Sequence, residues 1–344
     1  MRKFLLSVAA LACGALALSA PAASARSVLY VGNSTGDDVA VIDLATQKMI
    51  TKIKVGQTVH GICPTSDGRR AYVTVESNNT IQVVDTSSHT VIDSIPLPGR
   101  PNECAVTKNG RYIVVPLLAP ANSAVIIEAA TKQIVKTLPL IHPHNCFAPE
   151  GGSDVAIWCE ERDRWRINRI DMTKLEYSDY VNVAGDPRPF IVSADEKTIF
   201  TALSGLHGFA TIDRPSRMET MVTLGSMPLM SCRIEPANTP THGIERTPDR
   251  KKLWITSVSN GAVYIYDIAS KKLSAPVKVG ACPNWINFSE DGKYAAVSNA
   301  DDDNISILDA RTARELARIP TGNAPKRLHV IEVPEEKSAS ASPR

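Results

Sequence analysis

Apolar and polar residues alternate in short runs along this chain, and the runs return at a fixed interval. The clearest run ends on an acid and is followed by a polar turn. It reads VAVID at Asp43, IQVVD at Asp85, AVIIE at Glu128, INRID at Asp171, FATID at Asp213, VYIYD at Asp267 and ISILD at Asp309. A period of two residues is the mark of a strand with distinct faces. The steps between these acids are 42, 43, 43, 42, 54 and 42 residues. Several strands recurring at about 40–45 residues are the signature of a four-stranded propeller blade.

The rest of each period can be filled in. Turns such as Ser66-Asp67-Gly68, Lys108-Asn109-Gly110 and Glu290-Asp291-Gly292 follow an inner strand. The β-branched and aromatic segments RAYVTV, RYIVVP and KLWITS read as second strands. The acid-bearing strand comes next, then an outer strand ending at Gly56, Gly99, Gly185, Gly280 or Gly322. Val28 to Gly56 lacks an inner strand, whereas Asn323 to Val333 reads as an inner strand with nothing after it. If the two chain ends share one blade, the count becomes seven and no rim is left open. The expectation is an all-β, seven-bladed β-propeller over residues 26–334, with a proline-rich insertion at Ser226 to Pro240 accounting for the 54-residue step.

YVGN at Tyr30 to Asn33, YVTV at Tyr72 to Val75 and the recurring V-x-V-I-D-x-A-T-x-K…I-x-V-G resemble the YVTN-repeat family of seven-bladed propellers, over Val28 to Val333. The resemblance implies the fold. For function it implies only a choice among binding proteins, lyases, lactonases and redox subunits, because propellers host all of these. It also implies, as a candidate partner, a periplasmic redox protein or a metal or cofactor system. No Gly-His…Trp-Asp pair is present, which disfavours the WD-repeat class.

The chain ends add a location. Arg2-Lys3, the apolar Phe4 to Leu18 and Ala23-Ser24-Ala25 read as a signal peptide over 1–25. That predicts a periplasmic or secreted protein. Residues 335–344 are polar and read as a disordered tail. No later segment reaches the ~20 apolar residues of a membrane helix, so no membrane span is expected. Lys and Arg total 38 against 36 acids; without Arg2 and Lys3 the balance is 36 to 36. Such neutrality argues against nucleic acid as a partner. Beyond Cys13 stand Cys63, Cys104, Cys146, Cys159, Cys232 and Cys282. They permit up to three disulfides in an oxidising compartment. Cys232, in the insertion, and Cys282 form one candidate pair. Cys104 and Cys146 occupy equivalent positions in neighbouring blades and are expected to pack between them.

Chemistry is sought where equivalent positions carry unlike residues. The acids that end the third strands recur in every blade and therefore read as turn caps. The starts of the inner strands read TVHGIC, RPNECA, HPHNCF, DPRPFI, PTHGIE, CPNWIN and APKRLH. Their third residues are His60, Asn102, His144, Arg188, His242, Asn284 and Lys326, all able to hydrogen-bond and none acidic. Three histidines on alternate blades could hold a divalent metal with an open position, so His60, His144 and His242 are the candidate ligands. Arg188 and Lys326 point to a small anionic ligand or substrate. Asn102, Asn284, Trp285 and His207 are added as ligand contacts, His207 as a lid residue between glycines. Glu160, directly after Cys159, is expected beside His144. If the protein is an enzyme, His144, Glu160 and Arg188 are the candidate catalytic residues of a metal-assisted lyase or lactonase on a carboxylated or sugar-derived substrate. Asp301 to Asp303 read as a solvated loop before a calcium site, and His89 and His329 as structural residues with no evident partner. Without a CxxCH site, an electron carrier would be a partner or a non-covalent cofactor.

Overall fold

The computed structural model describes residues 25–226, 232–235 and 238–334, so the segment read as a signal peptide, apart from Ala25, and the polar tail lie outside the described residues. Seven antiparallel sheets follow one another along the chain. In the first, Pro325–Pro334 is innermost and pairs with Ala25–Asn33, followed by Asp38–Asp43 and Lys48–Lys54. Val28 opposes Ile331 and Tyr30 opposes His329, so the last strand of the chain closes the blade opened by the first three. The remaining blades begin at Val59–Pro64, Ala105–Val106, Pro143–Phe147, Pro187–Val192, Thr241–Arg246 and Pro283–Phe288. The protein is a seven-bladed propeller with one blade shared by its two ends, as the repeat predicts.

Packing explains the sequence pattern. Sheets stacked face to face bury both sides of their middle strands, so Val28, Leu29, Tyr30 and Val31 are all 0% exposed. Each apolar cluster joins two neighbours: Tyr30 and Val41 meet Val59 and Val73, while Leu29 and Ala40 meet Ile305 and Leu328. The outer strands alternate instead, because only their inner face touches a neighbour.

The recurring acids cap turns. Backbone N–H groups donate to Asp43 from Thr46 (2.7 Å), to Asp85 from Ser88 (2.9 Å), to Asp171 from Thr173 (2.8 Å), to Asp267 from Ser270 (2.8 Å) and to Asp309 from Thr312 (2.7 Å). The fourth residue after every one of the seven acids has a left-handed backbone, from Gln47 (φ 57°) to Ala313 (φ 59°). A carboxylate that holds the turn offsets the cost of a left-handed residue other than glycine.

Three disulfides form. Cys232–Cys282 ties the insertion to the start of the last blade's inner strand, as expected. Cys63–Cys104 staples two adjacent inner strands. Cys104 and Cys146 each lie in an apolar cluster shared by neighbouring blades, as expected, and Cys146 bonds Cys159 across strands of its own blade because the hairpin register places the two opposite each other.

Candidate functional site

The ring residues sit where each inner strand starts. Thr58, His142, Cys282 and Ala324 lie two positions before their ring residues and are left-handed, with φ from 49° to 61°. A register shift spans the ring residue in five blades, between Val59 and Ile62, Pro143 and Cys146, Pro187 and Phe190, Thr241 and Ile244, and Pro283 and Ile286. Such bulges re-aim a side chain out of the ladder, which is what a channel-facing residue requires.

Two of the three histidines come together. His60 and His144 stand edge to face with ring centres 5.9 Å apart. His60 Nδ1 lies 3.0 Å from a Glu76 oxygen, and Arg100 donates to the other oxygen at 2.9 Å. Burial draws the His60 pKa down to about 4 although Glu76 pulls it up, so the ring is neutral at pH 7. Nδ1 then carries the proton toward Glu76, and the Nε2 lone pair, buried and without a protein partner, is free. His144 Nδ1 lies 3.0 Å from Glu160, as the sequence led us to expect. Glu160 is fully buried and takes a 3.0 Å hydrogen bond from Asn145. Burial raises its pKa to about 8 against the pull of Arg162 and Arg188, so it is largely protonated at neutral pH. Burial, followed by Arg327, holds His144 well below its ordinary value.

His242 is turned elsewhere. Its Nδ1 meets the Asn284 carbonyl at 3.2 Å, and its Nε2 is 3.7 Å from Glu235. Glu235 comes from the insertion, where it accepts from Asn284 Nδ2 at 2.8 Å and pairs with Lys326 Nζ at 2.7 Å. Burial pushes this carboxyl up, but Lys326, His242 and Asn284 together hold it well below the usual carboxylate range. Among the described residues, the only three potential metal-ligand groups with donor atoms all within 4.8 Å of one another are Cys232, Cys282 and Asp301, and those cysteines are bonded to each other. The nitrogens of His60, His144 and His242 are not drawn together in this way.

Arg188 is 3% exposed and donates through Nε to Ser204 at 2.8 Å. Ser204 donates to Asp186, which also holds Arg162. Asn102 is fully buried, with its side-chain oxygen accepting from the Glu103 N–H and its Nδ2 lacking a protein partner. Among the described residues, fourteen buried side-chain atoms make no hydrogen bond, and eight of them belong to the ring or the layer beneath it: one each on His60, Asn102, His144, Glu160, His242 and Asn284, and two on Arg327. Buried polar atoms are normally paired, so this concentration marks a place built to meet something polar.

That lower layer was not found from the repeat. Arg327 reaches across the channel to Asn145 (2.9 Å) and lies 3.4 Å from Glu103, with its guanidinium 3.9 Å over Trp285. Trp285 is thus packed by the Arg327 guanidinium and by the His242 ring, 5.5 Å away between ring centres, and it also lines the cavity at the far ends of the inner strands. Burial lifts the Glu103 pKa to about 7 against Arg327. At the far ends of the inner strands is a cavity of about 600 Å³, lined in part by Ile62, Phe147, Phe190 and Trp285. The residues after the ring positions are Gly61, Glu103, Asn145, Pro189, Gly243, Trp285 and Arg327. Aligning one position further would have exposed Glu103, Asn145 and Arg327 as exceptions. Glu235 lies outside the repeat, and no register could find it.

Other expectations need correction. His207 is no lid: it is 5% exposed, and Ser257 and the Gly225 carbonyl hold it at 2.8 and 3.3 Å. His89 has a partner, the Tyr30 hydroxyl at 2.7 Å. Asp301 and Asp303 bind Arg233 of the insertion rather than only solvent.

No curated protein matches the sequence. Hydrazine synthase of Kuenenia stuttgartiensis superposes with a TM-score of 0.70 at 15% identity, covering 88% of this chain and 100% of that one. Dihydro-heme d1 dehydrogenase NirN in complex with DHE gives 0.65 at 16%, covering 91% and 78%. A Bacteroides uniformis protein described only provisionally as a 6-phosphogluconolactonase gives 0.70 at 15%, covering 90% and 100%. At such identities these likenesses speak for the fold alone. Residues 12–149 match the family model described as YNCE-like beta-propeller. That match, the YV-type repeats and the closed ring of seven blades make this chain similar to the YVTN-type seven-bladed propellers.

Proposed function

We propose that this is an exported binding protein that takes a small, carboxylated anion at the mouth of its channel, as an accessory to a periplasmic redox system. The observation that carries the reading is the cluster of unpartnered buried polar atoms around two buried cations, Arg188 and Arg327. Arg188 has one guanidinium nitrogen engaged by Ser204. Its others make no hydrogen bond among the described residues and suit a carboxylate. His60 Nε2 and the Asn284 side-chain oxygen are acceptors, so a ligand bearing hydroxyl groups beside its carboxylate would satisfy both kinds of atom. Three disulfides suit an oxidising compartment. The redox setting is our extrapolation from NirN, a dehydrogenase with which this chain shares its fold.

Mass spectrometry of small molecules released from protein purified from its native compartment tests this. A stoichiometric carboxylic acid from the wild type, absent from Arg188→Ala, is expected; no released anion from either would count against the reading.

A second reading is favoured by one feature. Glu160 is protonated and His60 is a free base at the same pH, an acid and a base set apart by their surroundings. A lactonase or lyase could use the pair, with hydrolysis of δ-gluconolactone and its loss in Glu160→Gln as the check. A divalent metal on His60, His144 and His242 would require their donor nitrogens to close around one point, with the Asn284 carbonyl still orienting His242 through Nδ1. Metal analysis of the purified protein, compared with His60→Ala/His144→Ala, tests that version.

A further inference from the structure

The insertion does more than lengthen one period. It is anchored at three points: the Cys232–Cys282 disulfide, the Arg233 contacts with Asp301 and Asp303, and Arg233 Nη2 donating to the Ala300 carbonyl at 2.8 Å. Two residues beyond Arg233 the chain places a carboxylate, Glu235, 8% exposed, onto the ring. That carboxylate takes the contacts an anionic ligand would take there, 2.7 Å to Lys326 Nζ and 2.8 Å to Asn284 Nδ2, with His242 Nε2 3.7 Å away. The other ring cation, Arg188, has no such partner in direct contact among the described residues; it reaches Asp186 through Ser204.

We propose that Lys326 and Asn284, beside His242, form a carboxylate subsite whose built-in occupant is Glu235, and that opening the Cys232–Cys282 disulfide with a dithiol frees it for the carboxylate of an incoming ligand. This rests on the anion-binding reading of the ring. The chemistry balances. The dithiol gives up two electrons and two protons, the S–S bond breaks, two cysteine thiols form, and the reagent leaves as its own disulfide. Access favours this bridge. Cys63 and Cys104 are 4% and 3% exposed and Cys146 and Cys159 are 0% exposed, whereas Cys232 is only partly buried. A ligand with two carboxylates could then bridge Arg188 and Lys326, whereas a monocarboxylate could use either alone.

Propionate, which reproduces the end of the Glu235 side chain, is the probe, and its affinity is measured by saturation-transfer NMR. Glu235→Ala should bind it at least ten-fold more tightly than the oxidised wild type, and Glu235→Ala/Lys326→Ala should lose the gain. Dithiothreitol treatment of the wild type, stopped when thiol titration counts two freed thiols, should move its affinity toward that of Glu235→Ala. Cys232→Ser/Cys282→Ser should do the same without reductant, which keeps the test valid if Glu235→Ala folds poorly. No gain in either variant, with melting curves showing both folded, overturns the proposal. So does unchanged propionate binding after the two thiols are freed. A gain in Glu235→Ala while no anion is ever retained by the wild type would sink the binding-protein reading and leave the subsite standing. Arg188-dependent anion binding by the wild type with no gain in Glu235→Ala would do the reverse.

Discussion

At the scale of single residues, the ring is a set of buried ionisable groups held away from their ordinary charge states. His60 titrates in the folded protein at about 4, below its value of 6.5 in a free chain. Below pH 6.5 the unfolded chain therefore binds more protons, and stability falls as the pH drops toward 4. Glu160, raised to about 8 from 4.5, behaves oppositely. The folded state keeps a proton that the unfolded chain has lost, so stability falls as pH rises from 4.5 to 8. Thermal melting followed from pH 4 to 9 should show losses at both ends, and Glu160→Gln should flatten the alkaline limb. An unchanged alkaline limb in that variant would mean that Glu160 is ionised in the fold. Three ring histidines were legible because the repeat aligned them. Their states were not, because these depend on Glu76, Glu160 and Glu235, which come from other strands and from the insertion.

Individual elements separate structure from function. The turn after each acid-bearing strand is built alike seven times, so removing one cap should be a local loss. Asp309→Ala is expected to lower the urea midpoint only slightly, with ring chemistry untouched, because the capped turn is exposed. Urea unfolding checks it, and a large drop in the midpoint would show that the residue does more than cap. The disulfides close loops of different size. The Cys63–Cys104 bridge, separated by 41 residues, should contribute about 3–4 kcal/mol through the entropy of the unfolded chain, read as the shift between wild type and Cys63→Ala/Cys104→Ala. Strands and turns could be read from the sequence because they follow the period, and the Cys232–Cys282 pair because one cysteine stands in the insertion and the other beside the ring. The Cys146–Cys159 pair could not, because it depends on the pairing register of a single hairpin.

At the scale of the whole molecule, closure is the defining feature. The strand Pro325–Pro334 completes the first blade and covers Val28 and Tyr30. A chain cut before Asn323 should lose its single cooperative transition and expose two sheet edges to aggregation, as measured by calorimetry and light scattering. A truncated chain that melts as one sharp unit would show that closure is dispensable. The fold was legible from sequence because a sevenfold pattern repeats one physical solution. The site was only half legible, because function sits where that pattern breaks, and Arg327, Glu103 and Glu235 break it outside the aligned position.

In the proposed function the ring binds an anion through Arg188. Titration calorimetry with citrate at pH 7, comparing wild type with Arg188→Ala, tests it most directly. A charge-assisted bond of about 1.5–3 kcal/mol predicts binding about ten- to a hundred-fold weaker in the variant. Equal citrate affinity in two proteins with matching melting curves would contradict it.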